Sequence, residues 1–464
     1  MLESKKSKIF LGVFVVIFLS TIGAGFYFYT LSKKGGGASI ISSSLAVLEE
    51  AVKFLPIEAD TKKEINTINE LAQEVVKQDG VERRYLVLLQ NNMELRPGGG
   101  FLGQYAVVKI KNGEVTNLFI EDANILDQRI TAKVRPPYPF ERMMSIKKWK
   151  FRDSNFSADF AVNAEKAKYF YRLSGRNSDF DGVIAVNADV LNHVLELTGP
   201  ITVPGYSGTY TSEDAALELE EFVEKRYLAN EELDTQNRKD ILKKMGAVIV
   251  DKLFTLNNIP KLANFTLNEL RNKDVMFNFE DERLQKMVEE VHWGGRVAED
   301  WDGDYLMLID ANMGALKSDY YVRREIDYFV DLTTPKPEAT LNYKYTHTAT
   351  YGDWRTSDYH SYLRVYVPLG SNLVERKMVS YPNIQEEFGK TYFGFIAHTL
   401  INRSTNAYIK YELPEEFKNE KYKLLVQKQS GVGDVPIKIR VKTADGEFEQ
   451  SGVLKKDLKF EFSK

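Results

Sequence analysis

The chain has 464 residues, 43% of them hydrophobic and 28% charged, the balance of a folded protein too long for one compact core. A net charge of −4 and a pI of about 6.0 give no basic stripe, so nucleic acid is not an expected partner. The absence of cysteine excludes disulfides, thiolate metal sites and cysteine nucleophiles.

The stretch from Ile9 to Leu31 carries no charged side chain. As a helix it would reach roughly 30 Å, enough to cross a hydrocarbon core. Lys5, Lys6 and Lys8 precede it, and Lys33 and Lys34 follow. The more basic N-terminal flank predicts a single-pass anchor with the N-terminus in the cytoplasm and the body outside. Phe26 to Tyr29 would sit as an aromatic belt at the outer interface. The rival reading is a cleaved signal peptide, which wants a shorter apolar region and a small-residue cleavage site.

Gly35 to Gly37 reads as a flexible linker. Residues 38–80 read as a helical stalk or a pair of packed helices, with Ile65, Ile68, Leu71, Val75 and Val76 at helical spacing and Gly80 as the stop. Tyr85 to Leu89 is a short continuous apolar run, the mark of a buried strand. A turn-rich loop follows to Gly103, then two alternating runs joined at Asn112-Gly113 predict a hairpin. Asp181 to Val186 predicts another strand, and Ala188 to Leu197 a helix ending at Gly199-Pro200. Further helices are predicted over 212–227, 236–253 and 280–291, and a strand over Tyr305 to Ile309. Strands interleaved with helices predict an α/β (α+β) domain over 81–326 that binds a ligand or carries catalysis. Beyond Asp327 eight strand-like runs with short turns predict an all-β sandwich over 327–464.

Two segments point to chemistry. The first is the loop Gln90 to Gly103, where a buried strand delivers polar residues to its carboxyl edge, the usual ligand edge of an α/β sheet. Asn91, Asn92, Gly99 and Gly100 would let backbone amides approach an anion, and Arg96 would pair with phosphate. The second is Glu224 to Lys239, where Arg226, Gln236 and Arg238 would converge on one anion from two helix ends, with Asp234 as a cap. The bland alternatives are a plain glycine turn and a solvated charge run. The acidic turn Asp300 to Asp304 fails the calcium-loop test, because Tyr305 and Ala311 stand where glycine and glutamate are needed. The five histidines have no zinc-hydrolase spacing. Tyr343, Tyr345, Tyr351, Tyr359, Tyr362 and Tyr366 would suit sugar stacking, or strand packing by default.

The run Leu88-Leu89-Gln90-Asn91-Asn92, then Glu94-Leu95-Arg96-Pro97, Gly99-Gly100-Phe101 and Gly103, resembles the motif of a bacterial envelope family, domain-of-unknown-function family 4012. Asp304-Tyr305-Leu306, Ala311-Asn312, Lys317-Ser318-Asp319 and Tyr362 to Pro368 are similar to it as well. Asp181 to Asn187 with Gly199 to Val203, and the order Arg226, Asp234, Gln236, Arg238, resemble the LytR-CpsA-Psr transferases, which move glycopolymers from a polyprenyl-pyrophosphate carrier to the cell wall. That second resemblance implies a LytR-CpsA-Psr-like central domain. In it Arg226, Arg238 and Glu94 would be catalytic, and Arg96, Asn91, Asn92, Gly99, Gly100 and Gln236 would bind the ligand. Glu94 and Asp234 would hold Mg2+. The expected partners are the membrane and a polyprenyl-phosphate lipid or cell-wall glycan. The competing expectation is a non-catalytic envelope scaffold or adhesion protein that binds glycan or protein through its β-sandwich.

Overall fold

The computed structural model describes residues 58–222, 240–253, 259–418 and 421–463. The predicted membrane anchor and the first part of the predicted stalk therefore lie outside the described residues. Among the described residues, no helix is long and apolar enough to cross a membrane.

The first sheet has five strands: β1 (Glu82–Asn91), β2 (Phe101–Lys111), β3 (Glu114–Asp122), β4 (Gly182–Asn187) and β5 (Val275–Phe279). Their order is β3-β2-β1-β4-β5, with β1 parallel to β4 and the other neighbours antiparallel. The hairpin predicted at Asn112-Gly113 forms, both residues taking positive φ. The apolar run in β1 is continuous because helices cover both faces of the sheet. Tyr85 and Val87 face one layer, which includes Leu71, Val75, Leu195, Met245, Leu270 and Leu284. Leu86 and Leu88 face the other, with Leu126, Phe160, Ala164, Ala167 and Phe170. This alternation is the two-residue period of a strand. The helix Phe160–Leu173, which the sequence reading missed, is capped by Asp159, whose carboxylate accepts from the Ala161 and Val162 amides.

The helix Ala59–Val76 is no free stalk. Leu71, Ala72, Val75 and Val76 enter the central core, and Glu64 pairs with Arg271 on a neighbouring helix, accepting from Nε at 2.8 Å. The apolar stripe read as a stalk face is a docking face.

The second half is a sandwich of two six-stranded sheets. Its strands are β6 (Asp304–Asn312), β7 (Val322–Asp331), β8 (Glu338–His347), β9 (Tyr359–Pro368), β10 (Asn372–Lys377), β11 (Val379–Glu387), β12 (Lys390–Thr399), β13 (Ser404–Glu412), β14 (Lys421–Gln427), β15 (Val435–Thr443), β16 (Gly446–Leu454) and β17 (Leu458–Ser463). One sheet runs β10-β13-β8-β7-β15-β16 and the other β11-β12-β9-β6-β14-β17. Their facing sides share one core that includes Leu306, Tyr328, Leu341, Leu363, Phe393 and Ile439.

This topology moves the boundary drawn near residue 327. Strand β6 pairs with β9 and β14 inside the sandwich, and β7 begins at Val322. All nine residues of β6 are buried, because its two faces meet different partners. Leu306 and Leu308 point into the sandwich core. Tyr305, Met307 and Ile309 pack with Ala158 and Val297 from the central half. A strand covered on both faces reads like one from an α/β sheet, which is why the sequence pattern placed it there. The outer face of the sandwich is thus fused to the central layers, with Phe140 and Phe156 meeting Ala311 and Tyr362 in a second seam.

Candidate functional site

The loop after β1 goes inward. Arg96 is 1% exposed. Its guanidinium donates to Glu94 (2.9 Å), to Asp153 (3.3 Å) and to the carbonyl of Asn312 (2.7 Å), and lies over the Phe101 ring. Arg96 was expected to face a phosphate; it faces two carboxylates and a carbonyl instead, and Asn312 ends strand β6 of the sandwich. Glu94, expected to be catalytic and to hold a metal, is committed to Arg96. Burial pushes the Glu94 carboxyl up from its ordinary value, against the pull of Arg96.

The glycines allow close packing. A Cβ on Gly100 would overlap the Asn91 backbone, and one on Gly99 would crowd Gln90, Asn187 and Ser430. Asn91 caps its own turn by accepting from the Met93 amide at 3.1 Å. Asn92 donates to Asp189 (2.6 Å) and to the carbonyl of Gly431 (3.2 Å). Gln90 and Asn155 close the ring, with Asn155 donating to Gln90 at 2.7 Å and to the Gly100 carbonyl. The whole motif stitches the central sheet to the sandwich.

Arg226, Asp234, Gln236 and Arg238 lie outside the described residues, so the expected arginine clamp has no geometry here. The turn at Asp300 to Asp304 ends in a buried Asp304, which accepts from Tyr328 at 2.7 Å and from Tyr422. Burial raises its carboxyl to about 6. Of the tyrosines proposed for sugar stacking, Tyr343, Tyr345, Tyr359, Tyr362 and Tyr366 are core residues, and Tyr351 is exposed.

A different group gathers at the carboxyl end of β4. The helix Asp189–Thr198 follows directly and presents His193. The helix Ile259–Arg271 presents Glu269. Chain reversal at Lys273, with φ of 63°, brings Asp274 back, its amide donating to the Glu269 carbonyl at 2.8 Å. The ligand-type atoms of His193, Glu269 and Asp274 all lie within 4.8 Å of one another. His193 Nδ1 stands 3.0 Å from a Glu269 oxygen. Asn187, the last residue of β4, donates to Asp274 at 3.1 Å. Burial, helped by the Asp274 and Asp189 charges, raises the Glu269 carboxyl to about 7 against the pull of His193. Burial alone would lower His193, but the Glu269 hydrogen bond and the Asp274 and Asp189 charges raise it to about 9. The sequence reading missed this group because its members come from three elements and no local spacing marks them.

Two solved structures illustrate what the chain is similar to. The Lin1025 protein from Listeria innocua is 12% identical, with a TM-score of 0.26 over 46% of this chain and 79% of that one. Protein gbs0355 from Streptococcus agalactiae is 12% identical, with a TM-score of 0.28 over 47% of this chain and 75% of that one. No curated protein matches the chain. The similarity read at 304–319 and 362–368 falls outside the range that a family model matches. That range, residues 80–223, runs from β1 through the helix bearing His193, and it matches the family described as "Protein of unknown function (DUF4012)".

Proposed function

We propose that this is a membrane-tethered, extracytoplasmic protein of the cell envelope that works by binding rather than by catalysis, and that its partner is another envelope protein docked on one edge of the sandwich. The anchor is the apolar segment 9–31. The observation that carries the docking reading is a set of large apolar side chains left outside the core on the β10–β11 edge. Leu369, Val374, Met378, Tyr381 and Ile384 are each half exposed or more. Strand β10 ends one sheet and β11 ends the other, so both edges come together here. Pro382 and the irregular pairing between Ser380 and Asn383 make β11 a poor template for an added strand. Contact would therefore be made by side chains, and the mix of aliphatic groups with Tyr381, held under Arg142 at 3.6 Å, has the make-up of a protein-binding patch. The supporting experiment places a photo-crosslinking residue at Ile384 of the full-length protein in its native membrane. A discrete adduct that disappears with Met378→Asp is the expected result. Absence of an adduct, while the protein is folded and membrane-bound, would remove the docking reading.

A second reading is transfer or binding of polyprenyl-pyrophosphate-linked glycopolymers in the manner of LytR-CpsA-Psr enzymes. It is favoured by the position of the His193 group, because α/β sheets bind ligands at the carboxyl ends of parallel strands. It would require Arg226, Gln236 and Arg238 to supply the clamp, with Mg2+ on Asp234, since Arg96 and Glu94 are engaged with each other. Titration of the full-length protein in detergent with a polyprenyl-pyrophosphate lipid, with and without Mg2+, tests it. Binding that is lost in Arg226→Ala would put this reading first.

A further inference from the structure

We infer that His193, Glu269 and Asp274 form a binding site for one divalent first-row transition-metal ion, with zinc as its natural probe. Around a tetrahedral ion with nitrogen and oxygen ligands at about 2.0–2.2 Å, ligand atoms stand roughly 3.4 Å apart. His193 and Glu269 are already 3.0 Å apart, and the widest pair in the group is within 4.8 Å. Side-chain rotation of about an ångström closes the set around an ion of this size. Among the described residues, no other group of three His, Asp or Glu side chains comes this close.

The surroundings favour a cation. Asp274 has one oxygen held by Asn187 Nδ2, the kind of outer hydrogen bond that orients a ligating carboxylate and leaves its other oxygen free to ligate. Asp189, one helical turn before His193, adds a third carboxylate close enough to act on the His193, Glu269 and Asp274 charges. Asn92 donates to Asp189, yet its own Oδ1 is buried with no hydrogen-bond partner. Buried polar atoms are nearly always satisfied, so an unpartnered oxygen next to Asp189 is unusual. Lys428 is a nearby cation whose charge acts on Asp274. Its ammonium donates to the carbonyls of Asn272 (3.0 Å) and Gln429 (3.2 Å). The His193 side chain is one-third exposed, so a fourth position opens toward solvent for water or a ligand oxygen.

The donor set selects the metal. One imidazole with two carboxylates suits zinc, manganese or iron. Magnesium prefers an all-oxygen octahedron and keeps its water, so it is a poor competitor here. Its ligands are other residues than Glu94 and Asp234, at which Mg2+ was expected, and it stands whether or not the sandwich edge docks a partner.

The test uses the full-length protein in detergent, stripped with chelator, then loaded with zinc chloride in excess magnesium and desalted. Elemental analysis is expected to give one zinc per chain, and cobalt in place of zinc a visible spectrum of four-coordinate type. His193→Gln and the nearly isosteric Glu269→Gln should each lose the metal while keeping the circular dichroism of the parent. Asp300→Asn, an exposed carboxylate outside this group, should retain it. A parent protein with no zinc above background, or a folded His193→Gln that holds as much zinc as the parent, overturns the inference.

Discussion

The carboxyl ends of β1 and β4 lie side by side in one sheet, and the chain treats them differently. After β1 the polar residues are sealed beneath the sandwich. Arg96 is matched by Glu94 and Asp153, and its remaining donors reach carbonyls. After β4 the helix bearing His193 opens a group of one imidazole and two carboxylates in which one side chain still reaches solvent. Polar residues at a strand end are therefore no index of function by themselves. What separates a brace from a site is whether charges and hydrogen bonds close within the protein.

The strongest way to break this comparison is Arg96→Ala. If Arg96 is a brace, its removal leaves two buried carboxylates without their cation, and stability should fall by about 3–5 kcal/mol in denaturant unfolding. An unchanged midpoint, with loss of a ligand-binding signal instead, would make the β1 loop a site after all. Gly431→Ala probes the same seam from the sandwich side. Gly431 has φ of 77°, and a Cβ there would overlap the Gly99 carbonyl. Strain and overpacking together should cost about 3 kcal/mol. A neutral result in thermal melts would show the two halves to be loosely joined.

Asp304 sharpens the comparison in the sandwich, where a buried carboxylate has hydroxyl donors but no cation. Its folded value of about 6 lies above the ordinary 3.8. Between these values the folded state keeps a proton that the unfolded state has lost. This group's contribution to stability is therefore full below about pH 4, declines as pH rises to about 6 and is flat above. The total change is about 2–3 kcal/mol. Asp304→Asn should remove that part of the slope when unfolding is followed from pH 4 to 7, and a slope identical to the parent would refute the assignment. The smallest stability effect is expected at the sandwich edge. Tyr381→Asp and Ile384→Asp should shift stability by about 0.5 kcal/mol or less, because both side chains are exposed. Tyr381→Asp should nevertheless abolish cross-linking from position 384, and a large loss of stability in either variant would mean the patch belongs to the fold.

Local pattern carried far along this chain. The hairpin at Asn112-Gly113, the helix Asp189–Thr198 ended by Gly199 with φ of 74°, and most strands of the sandwich were legible because each depends on neighbouring residues: turn chemistry, capping and a two-residue alternation. Strands β10, β11 and β16 were not. Their side chains are mostly exposed and polar, so no alternation separates them from loop. The motif around Arg96 was visible as a motif, and its membership in the matched family range is clear. Its role was not, because, beside Glu94 within the motif, the groups that occupy Arg96 come from 57 and 216 residues away. The same holds for His193 and Glu269, 76 residues apart and joined only by the packing of two helices. Sequence by itself determined the periodicities, and with them most of the elements and the division into an α+β part and an all-β part. Tertiary structure decided which polar residues face each other, because long-range pairing of charges is set by how layers stack and leaves no local period to read.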